Sequence, residues 1–438
     1  MKKLLIALTL GAALSASAQV PIQLENVTMK QNAWTRIVEV TYDLTGDTPD
    51  GVFITLDVTT NGVLIPPPVA VSGDITTETN LKIIAPGNTT KKIVWDAQKD
   101  WSGNVTTQAQ AVVTAWFLNN PPENLPLTYA VVDLSGGPTA SIYPVRYSVT
   151  PPNLSDDTCR TTELWLRRIP AGTFTMGSPS SEYGRAANED VREVTLTQNF
   201  YIGVFQVTQR QWELVMGDKP SYFNNASDYA GRPVEQVSYN TIRGAVSDSP
   251  AVNWPATGST VSSSSFMGKL RAKTGLRFDL PTCAQWEYAG RAGTSGAWNN
   301  NTTLPNPAPD TDPNLDLLGR YRYSGGYINS GADAPPQNCT TANGTAKVGS
   351  YQPNNWGLYD MHGNVSDWCL DWYADVLVSS MGGIDPQGPA SSSYSYRIRR
   401  GGGYGHPAPI CRIARCGFGL PTDEANSVGF RVCIQPQP

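Results

Sequence analysis

Apolar and polar positions alternate along the first hundred residues. "RIVEVTYDL" (36–44) and "GVFITLDVTT" (51–60) keep a two-residue period over much of their length. "KKIVWDA" (91–97) and "QAQAVVTAWF" (108–117) follow it more loosely. Alternation puts every second side chain on one face of a pleated strand. Gly, Pro, Asn and Asp punctuate these runs, and no helical period intervenes. Short strands at this spacing predict an antiparallel β-sandwich over residues 19–118, immunoglobulin-like in size. It lacks the usual inter-sheet disulfide, because no cysteine falls there. "NNPPENLP" (119–126) is a Pro-rich break. Residues 119–154, with "YAVVDLSGGPTASIYPVRYS" (129–148), read as a last strand plus a connector.

From about residue 155 the pattern changes. Tryptophans concentrate, glycines are frequent and regular elements become short. Two helices stand out. "TQRQWELVMG" (208–217) has Thr208 as N-cap and Gly217 as its stop. "LPTCAQWEYAGRAG" (280–293) has Thr282 as N-cap, with Cys283, Trp286, Ala289 and Gly290 near one face. The rest reads as irregular chain with short strands. Its backbone polar groups need side-chain hydrogen bonds or bound ions.

The start, "MKKLLIALTLGAALSASAQV", has two lysines before an apolar run and Ala16-Ser17-Ala18 before Gln19. That is the pattern of a secretory signal peptide over 1–18, cleaved near Ala18, and it predicts a secreted or periplasmic protein. No cysteine follows the cut to take a lipid, and no later run is long enough to span a membrane. Charged residues make up 16% of the chain and the net charge is −5, so no basic nucleic-acid face is expected. The mature chain is rich in Ser, Thr, Asn, Gly and aromatics, a composition suited to binding by hydrogen bonds and stacking. Seven cysteines (Cys159, Cys283, Cys339, Cys369, Cys411, Cys416 and Cys433) all lie in the last two-thirds. Export permits disulfides, and an odd count leaves at least one thiol over. The connectivity stays open.

A series of segments carries a resemblance: "LRRIPAGTFTMGS" (166–178), "EVTLTQNFYIGVFQVTQRQWELVMG" (193–217), "RPVEQVSYN" (232–240), "LRAKTGLRFDLPTCAQWEYAGRAGT" (270–294), "GSYQPNNWGLYDMHGNVSDWCLDWY" (349–373), then "RIRRGGGYG" and "NSVGFRV". In this order, over about 165–433, the chain resembles the formylglycine-generating enzyme, or sulfatase-modifying factor, family. The resemblance implies an α+β, C-type-lectin-like domain over 155–438 with little regular secondary structure, following the N-terminal all-β sandwich. Fold alone does not settle function, since the family holds oxidases, enzymes of other chemistry and ligand-binding proteins.

In the family's oxidases, copper(I) is held by two cysteines five apart after a Gly-Gly-Ser-aromatic turn, a soft-ligand arrangement suited to that ion. Counted from Tyr404, the second copper cysteine falls on Cys411, the first on His406 and the turn's serine on Gly403. Ser366 stands where the family carries Trp in its Gly-Asn-Val-Trp-Glu-Trp segment. Cys411 and Cys416 are also five apart, but that register moves the Gly-Gly turn out of line. A Cys411–His406 pair is thus the only copper site the resemblance offers, with a sulfatase polypeptide as substrate. The same resemblance implies calcium in "LYDMHGNVSDW" (358–368), through the side chains of Asp360 and Asp367 and the carbonyls of Gly363 and Val365. Asp367 replaces the usual Glu. The nucleophile-elbow, zinc-protease, P-loop and dinucleotide fingerprints are absent.

The reading that follows is an atypical, ligand-binding member. Tyr404, His406, Ile410 and Arg412, with loops 221–228 and 323–330, would form a surface for a protein or glycan. Substitutions cluster between "RGG" and "GFRV", as in proteins whose C-terminal loop is diversified by reverse transcription. The alternative is a copper oxidase with altered Cys/His ligation.

Overall fold

A computed structural model of the chain describes residues 22–32, 34–46, 51–77, 82–117, 127–305, 310–326, 343–376 and 378–435. The expected signal peptide, the Pro-rich break at 119–126, residues 327–330 of loop 323–330 and Cys339 lie outside the described residues. Among the described residues, no helix is long and apolar enough to cross a membrane. The chain divides into two compact units, residues 1–127 with 145–149, and residues 128–144 with 150–438.

The first unit is built of strands, with one helical turn at Ala97–Asp100. Its strands are β1 (Gln23–Gln31), β2 (Ile37–Thr45), β3 (Val52–Thr60), β4 (Val63–Leu64), β5 (Val71–Gly73), β6 (Gly87–Asp96) and β7 (Ala109–Phe117). They form a four-stranded sheet in the order β1-β2-β6-β5 and a three-stranded sheet in the order β4-β3-β7. Alternation in β2 does what it predicts: Val38, Val40, Tyr42 and Leu44 are buried while the residues between them are half-exposed. They meet Val52, Ile54, Leu56, Val58 and Val113 of the other sheet in one core, so the two sheets pack as a sandwich.

The second unit has short strands on several sheets. β8 (Tyr129–Asp133) pairs antiparallel with β9 (Glu163–Ile169), which pairs with β12 (Phe200–Gly203). Residues 129–133, read from the sequence within a last strand plus a connector, therefore pair into the sheet of this unit. Four of their five side chains are buried, which explains why their apolar run lacks alternation. A second sheet joins β10 (Gly172–Met176), β11 (Arg192–Leu196) and β15 (Gly383–Ile384); β13 (Phe278–Asp279) belongs to the first. A third runs β17 (Cys416–Gly419), β16 (Arg397–Arg400), β14 (Ser366–Trp372) and β18 (Val428–Gly429). β19 (Cys433–Ile434) closes the chain against β12 and β13.

Both predicted helices form. α1 (Gln209–Met216) starts on a capping box between Thr208 and Gln211 and ends on Gly217 in the left-handed region. α2 (Phe266–Thr274) has no counterpart in the sequence reading; Ser265 caps it and Gly275 stops it. α3 (Cys283–Arg291) carries a second capping box, Thr282 with Gln285, and eight of its nine residues are buried. Its one-sided face is therefore an understatement: α3 lies inside the core, with Trp286 and Ala289 against Ile398, Ile413 and Met361.

Candidate functional site

The loop that follows β16 begins with three glycines, each held by close packing. Gly401 and Gly402 have φ of 85° and 71°, which disfavours any side chain. A Cβ on Gly402 would lie 2.8 Å from Cys411 Sγ, and one on Gly403 would lie 2.9 Å from the Ser427 carbonyl oxygen. Gly403 is thus more than a serine without its hydroxyl. The backbone opposite occupies the space a side chain needs.

Tyr404 follows, with its N–H donating to the Asn364 carbonyl at 2.7 Å. Its ring meets Phe223 edge-on at 5.0 Å, and Phe223, Ala226 and Tyr404 form one buried cluster. Loop 221–228 is so joined to the 404–416 loop, while its Tyr222, Asn224 and Ser227 face solvent. Buried Glu235 holds this loop, accepting from the N–H groups of Tyr222 at 3.1 Å and Phe223 at 2.8 Å. Burial pushes the Glu235 carboxyl up to about 7.

His406 turns back on its own loop. Its Nδ1 accepts from the Gly403 N–H at 2.9 Å, and burial with nearby Arg415 and Arg399 lowers its pKa. Its carbonyl receives the Arg322 N–H at 3.0 Å, so the 320–323 segment borders the loop. Ile410 is half-buried on the short 3₁₀ turn Ala408–Cys411. Cys411 points inward, fully buried among Trp298, Leu304, Leu315, Leu318 and Tyr321. Burial alone pushes its thiol up to about 12. Its carbonyl pairs with His362 Nδ1 at 2.8 Å.

Arg412 is buried too. Its guanidinium binds Glu189 at 2.9 and 3.2 Å, bonds Glu182, and donates to the Gly184 carbonyl at 2.6 Å. It bolts the loop's far side to residues 182–189. Two of the four residues expected on a ligand surface, Tyr404 and Arg412, therefore stand beneath it. An aromatic ring and a guanidinium with two carboxylates in reach gain more from packing than from water. His406 and Ile410 remain accessible.

Of the oxygens expected to hold calcium, the Val365 carbonyl and the Asp367 carboxylate share one partner, the Gln206 amide. Asp367 Oδ2 accepts from Arg431 Nε at 2.7 Å and from Trp286 Nε1 at 2.9 Å. Arg431 Nη2 also donates to the carbonyls of Tyr359 and Asp360. Gln206 Nε2 spans the Val365 carbonyl at 2.7 Å and Asp367 Oδ1 at 3.1 Å. Asp360 Oδ1 and Gln206 Oε1 are buried with no hydrogen-bond partner, and burial pushes the Asp360 carboxyl up to about 6. Hard oxygens with two unanswered acceptors fit calcium in kind. Copper(I) is different. A thiol with no polar partner, and an imidazole whose Nδ1 accepts the Gly403 N–H and so carries its proton on Nε2, do not fit a thiolate–copper site.

The sequence reading missed Gln206, Glu235 and the Glu182–Glu189 pair. Gln206 and Glu235 lie inside segments that carry the resemblance, yet nothing local marks their roles, and each of the four acquires its role only through partners more than ten residues away.

Residues 153–436 match the family described as sulfatase-modifying factor enzyme 1-like domain. The chain is 28% identical over 298 residues to the formylglycine-generating enzyme of Mus musculus, covering 62% of this chain and 75% of that one. It is 34% identical over 158 residues to the Streptomyces coelicolor formylglycine-generating enzyme, 35% of this chain and under half (45%) of that one. It is 29% identical over 238 residues to the chaperone protein LppX of Paenibacillus barcinonensis, covering 49% and 71%. The solved structure of Treponema denticola variable protein 1 aligns with a TM-score of 0.45 at 26% identity, covering 63% of this chain and 96% of that one.

Proposed function

The chain belongs to the sulfatase-modifying factor enzyme 1-like family, and from that premise we propose that its C-terminal domain is an exported, ligand-binding member without oxidase activity. The observation that carries the reading is the state of the oxidase positions. Gly403 and His406 replace the serine and the first copper cysteine, Ser366 replaces a tryptophan, and the Cys411 thiol is sealed in an apolar cluster. Around them the scaffold is intact. The ligand surface is the accessible rim above Tyr404 and Arg412, made by Tyr222, Asn224, Ser227, His406 and Ile410 with Tyr323 at its edge. Its mix of phenol, amide and hydroxyl groups suits a protein or glycan partner. One relative is named a chaperone, which agrees with family members that serve other proteins in other ways.

The test pairs two measurements. The reduced protein is incubated with copper, oxygen and a Cys-x-Pro-x-Arg peptide, and the thiol is followed by mass spectrometry; no conversion is expected. Copper(I) is then titrated into wild type and Cys411→Ala, with no difference expected. Turnover, or binding lost with Cys411, would establish the copper oxidase instead. A near-copy of the coding segment for the 404–416 loop beside a reverse-transcriptase gene would add diversification to the reading, and its absence would remove it. N-terminal sequencing of exported protein is expected to begin at Gln19.

Calcium, when bound, would supply structure rather than chemistry, held by Asp360, Asp367 and the carbonyls of Gly363 and Val365. Ligation there requires the Gln206 amide to turn over or withdraw. Binding to the folded state raises thermal stability by mass action, so a chelator is expected to lower Tm in wild type and to leave Asp360→Asn unchanged. An equal response in both would remove the ion.

A further inference from the structure

Among the described cysteines one pair brings its sulfurs together. Cys283 Sγ and Cys416 Sγ lie 3.8 Å apart, both buried, from residues 133 positions apart in the chain. Cys159, Cys369 and Cys433 instead direct their sulfurs at oxygen atoms, at 3.3 to 4.0 Å. Each backbone beneath the pair is fixed. Cys283 is the first residue of α3, behind the Thr282 cap, and its N–H donates to Asp371 Oδ2 at 2.7 Å. Cys416 opens β17 directly opposite Arg400 of β16. The sulfurs have to close from 3.8 Å to a bonding distance of about 2.05 Å.

We propose that Cys283 and Cys416 form a disulfide in the exported protein, fastening the downstream end of the 404–416 loop to the N-terminus of α3. Arg400 prepares the reaction. Its Nη1 lies 3.3 Å from Cys416 Sγ, and its Nη2 is paired with Glu287, one turn along α3 from Cys283. The hydrogen bond from Cys283, with Arg400 beside it, holds the Cys416 thiol below its ordinary pKa against the effect of burial. The same hydrogen bond and burial raise Cys283. A thiolate beside a thiol is the starting state for thiol–disulfide exchange. The Cys416 thiolate attacks one sulfur of a small disulfide such as glutathione disulfide and expels one thiolate. Cys283 then loses its proton, attacks the Cys416 sulfur of the mixed disulfide and expels the second thiol. Two protein thiols are oxidised and one disulfide bond of the reagent is reduced, so electrons and protons balance. Both sulfurs are buried in the folded chain, so the exchange takes place in an oxidising compartment as the loop docks, when Arg400 already borders Cys416 and the sulfurs are not yet covered.

The proposal is independent of whether the rim binds a ligand. The full chain is refolded with glutathione disulfide, blocked with an alkylating reagent while denatured, and digested without reductant. A peptide joining Cys283 to Cys416, lighter than its two reduced parts by two hydrogens, is expected. Reductant should lower Tm by about 5–10 °C, since the bond closes a long loop. Cys416→Ala and, separately, Cys283→Ser should lose that response. Recovery of both residues as alkylated thiols from refolded wild type overturns the proposal. So does a reductant effect that is equal in wild type and both variants. The peptide mapping needs no variant to fold.

Discussion

The two units place different side chains at their centres. In the first, the bulkiest fully buried residues are Trp95 and Tyr42; in the second, Trp212, Trp286, Trp298 and Trp368 are joined by Arg232, Arg243, Arg397, Arg400, Arg412 and Arg431. Long β ladders satisfy the first unit's backbone, so its core is filled by apolar rows from two sheets. The second unit has short strands and much irregular chain. Its carbonyls and carboxylates are satisfied by arginines that reach across it: Arg431 to Gly203, Tyr359 and Asp367, Arg397 to Trp254 and Leu370, and Arg243 bidentate to Asp279. A guanidinium offers five donors in one plane, so one side chain can replace a length of missing sheet. Such a core depends on every partner being present. Removing one member leaves a buried charge unanswered, whereas an apolar core loses only what was removed.

That difference can be broken open by substitution, and the largest effect is expected at Glu287. Its carboxylate joins Arg291 and Arg400 and accepts the Gly177 N–H at 2.8 Å. Glu287→Gln should destabilise the second unit by about 3–5 kcal/mol. Hydrogen exchange would check it: protection should fall across residues 150–435 and persist over 22–117. Ile93→Ala probes the apolar counterpart, at a residue with no exposure in the sandwich core. A loss of about 3 kcal/mol is expected there, with the exchange pattern reversed. Thr208→Ala removes half of the α1 capping box and should cost about 1 kcal/mol by denaturant unfolding. The smallest effect is one of slope. Glu235 has a folded pKa raised to about 7, above its unfolded value, so the folded state holds the proton more tightly. Its contribution is present at low pH and is lost as pH rises from about 4.3 through about 7. Glu235→Gln should flatten the fall of Tm over that window. An unchanged slope would show that the carboxyl is ionised throughout.

The same contrast decides what could be read from the sequence. In β2 and β3 the period alone names the inward face, and Val40, Tyr42 and Leu56 are buried as it requires. Caps are equally local: Thr208, Thr282 and Gly217 were legible because a helix end satisfies its donors within a few residues. α2 escaped because "FMGKLRAKT" is short and carries three basic residues. β8 escaped because a strand buried on both faces has no alternation. At the candidate site, the place of Cys411 and the replacement of the family's serine and first copper cysteine by Gly403 and His406 were legible through the resemblance. The burial of Tyr404 and Arg412 was not, because it depends on Phe223, Glu182 and Glu189, which come from loops far away in sequence.

Gly403 bears on the history of such a loop. Restoring a serine there places its Cβ 2.9 Å from the Ser427 carbonyl, so the change is penalised unless the segment around 427 has already moved. A second cysteine at 406 would in turn remove the imidazole that accepts the Gly403 N–H. A side chain at 403 therefore demands a shift of the Ser427 backbone, and the imidazole at 406 and the bare glycine at 403 hold one another in place.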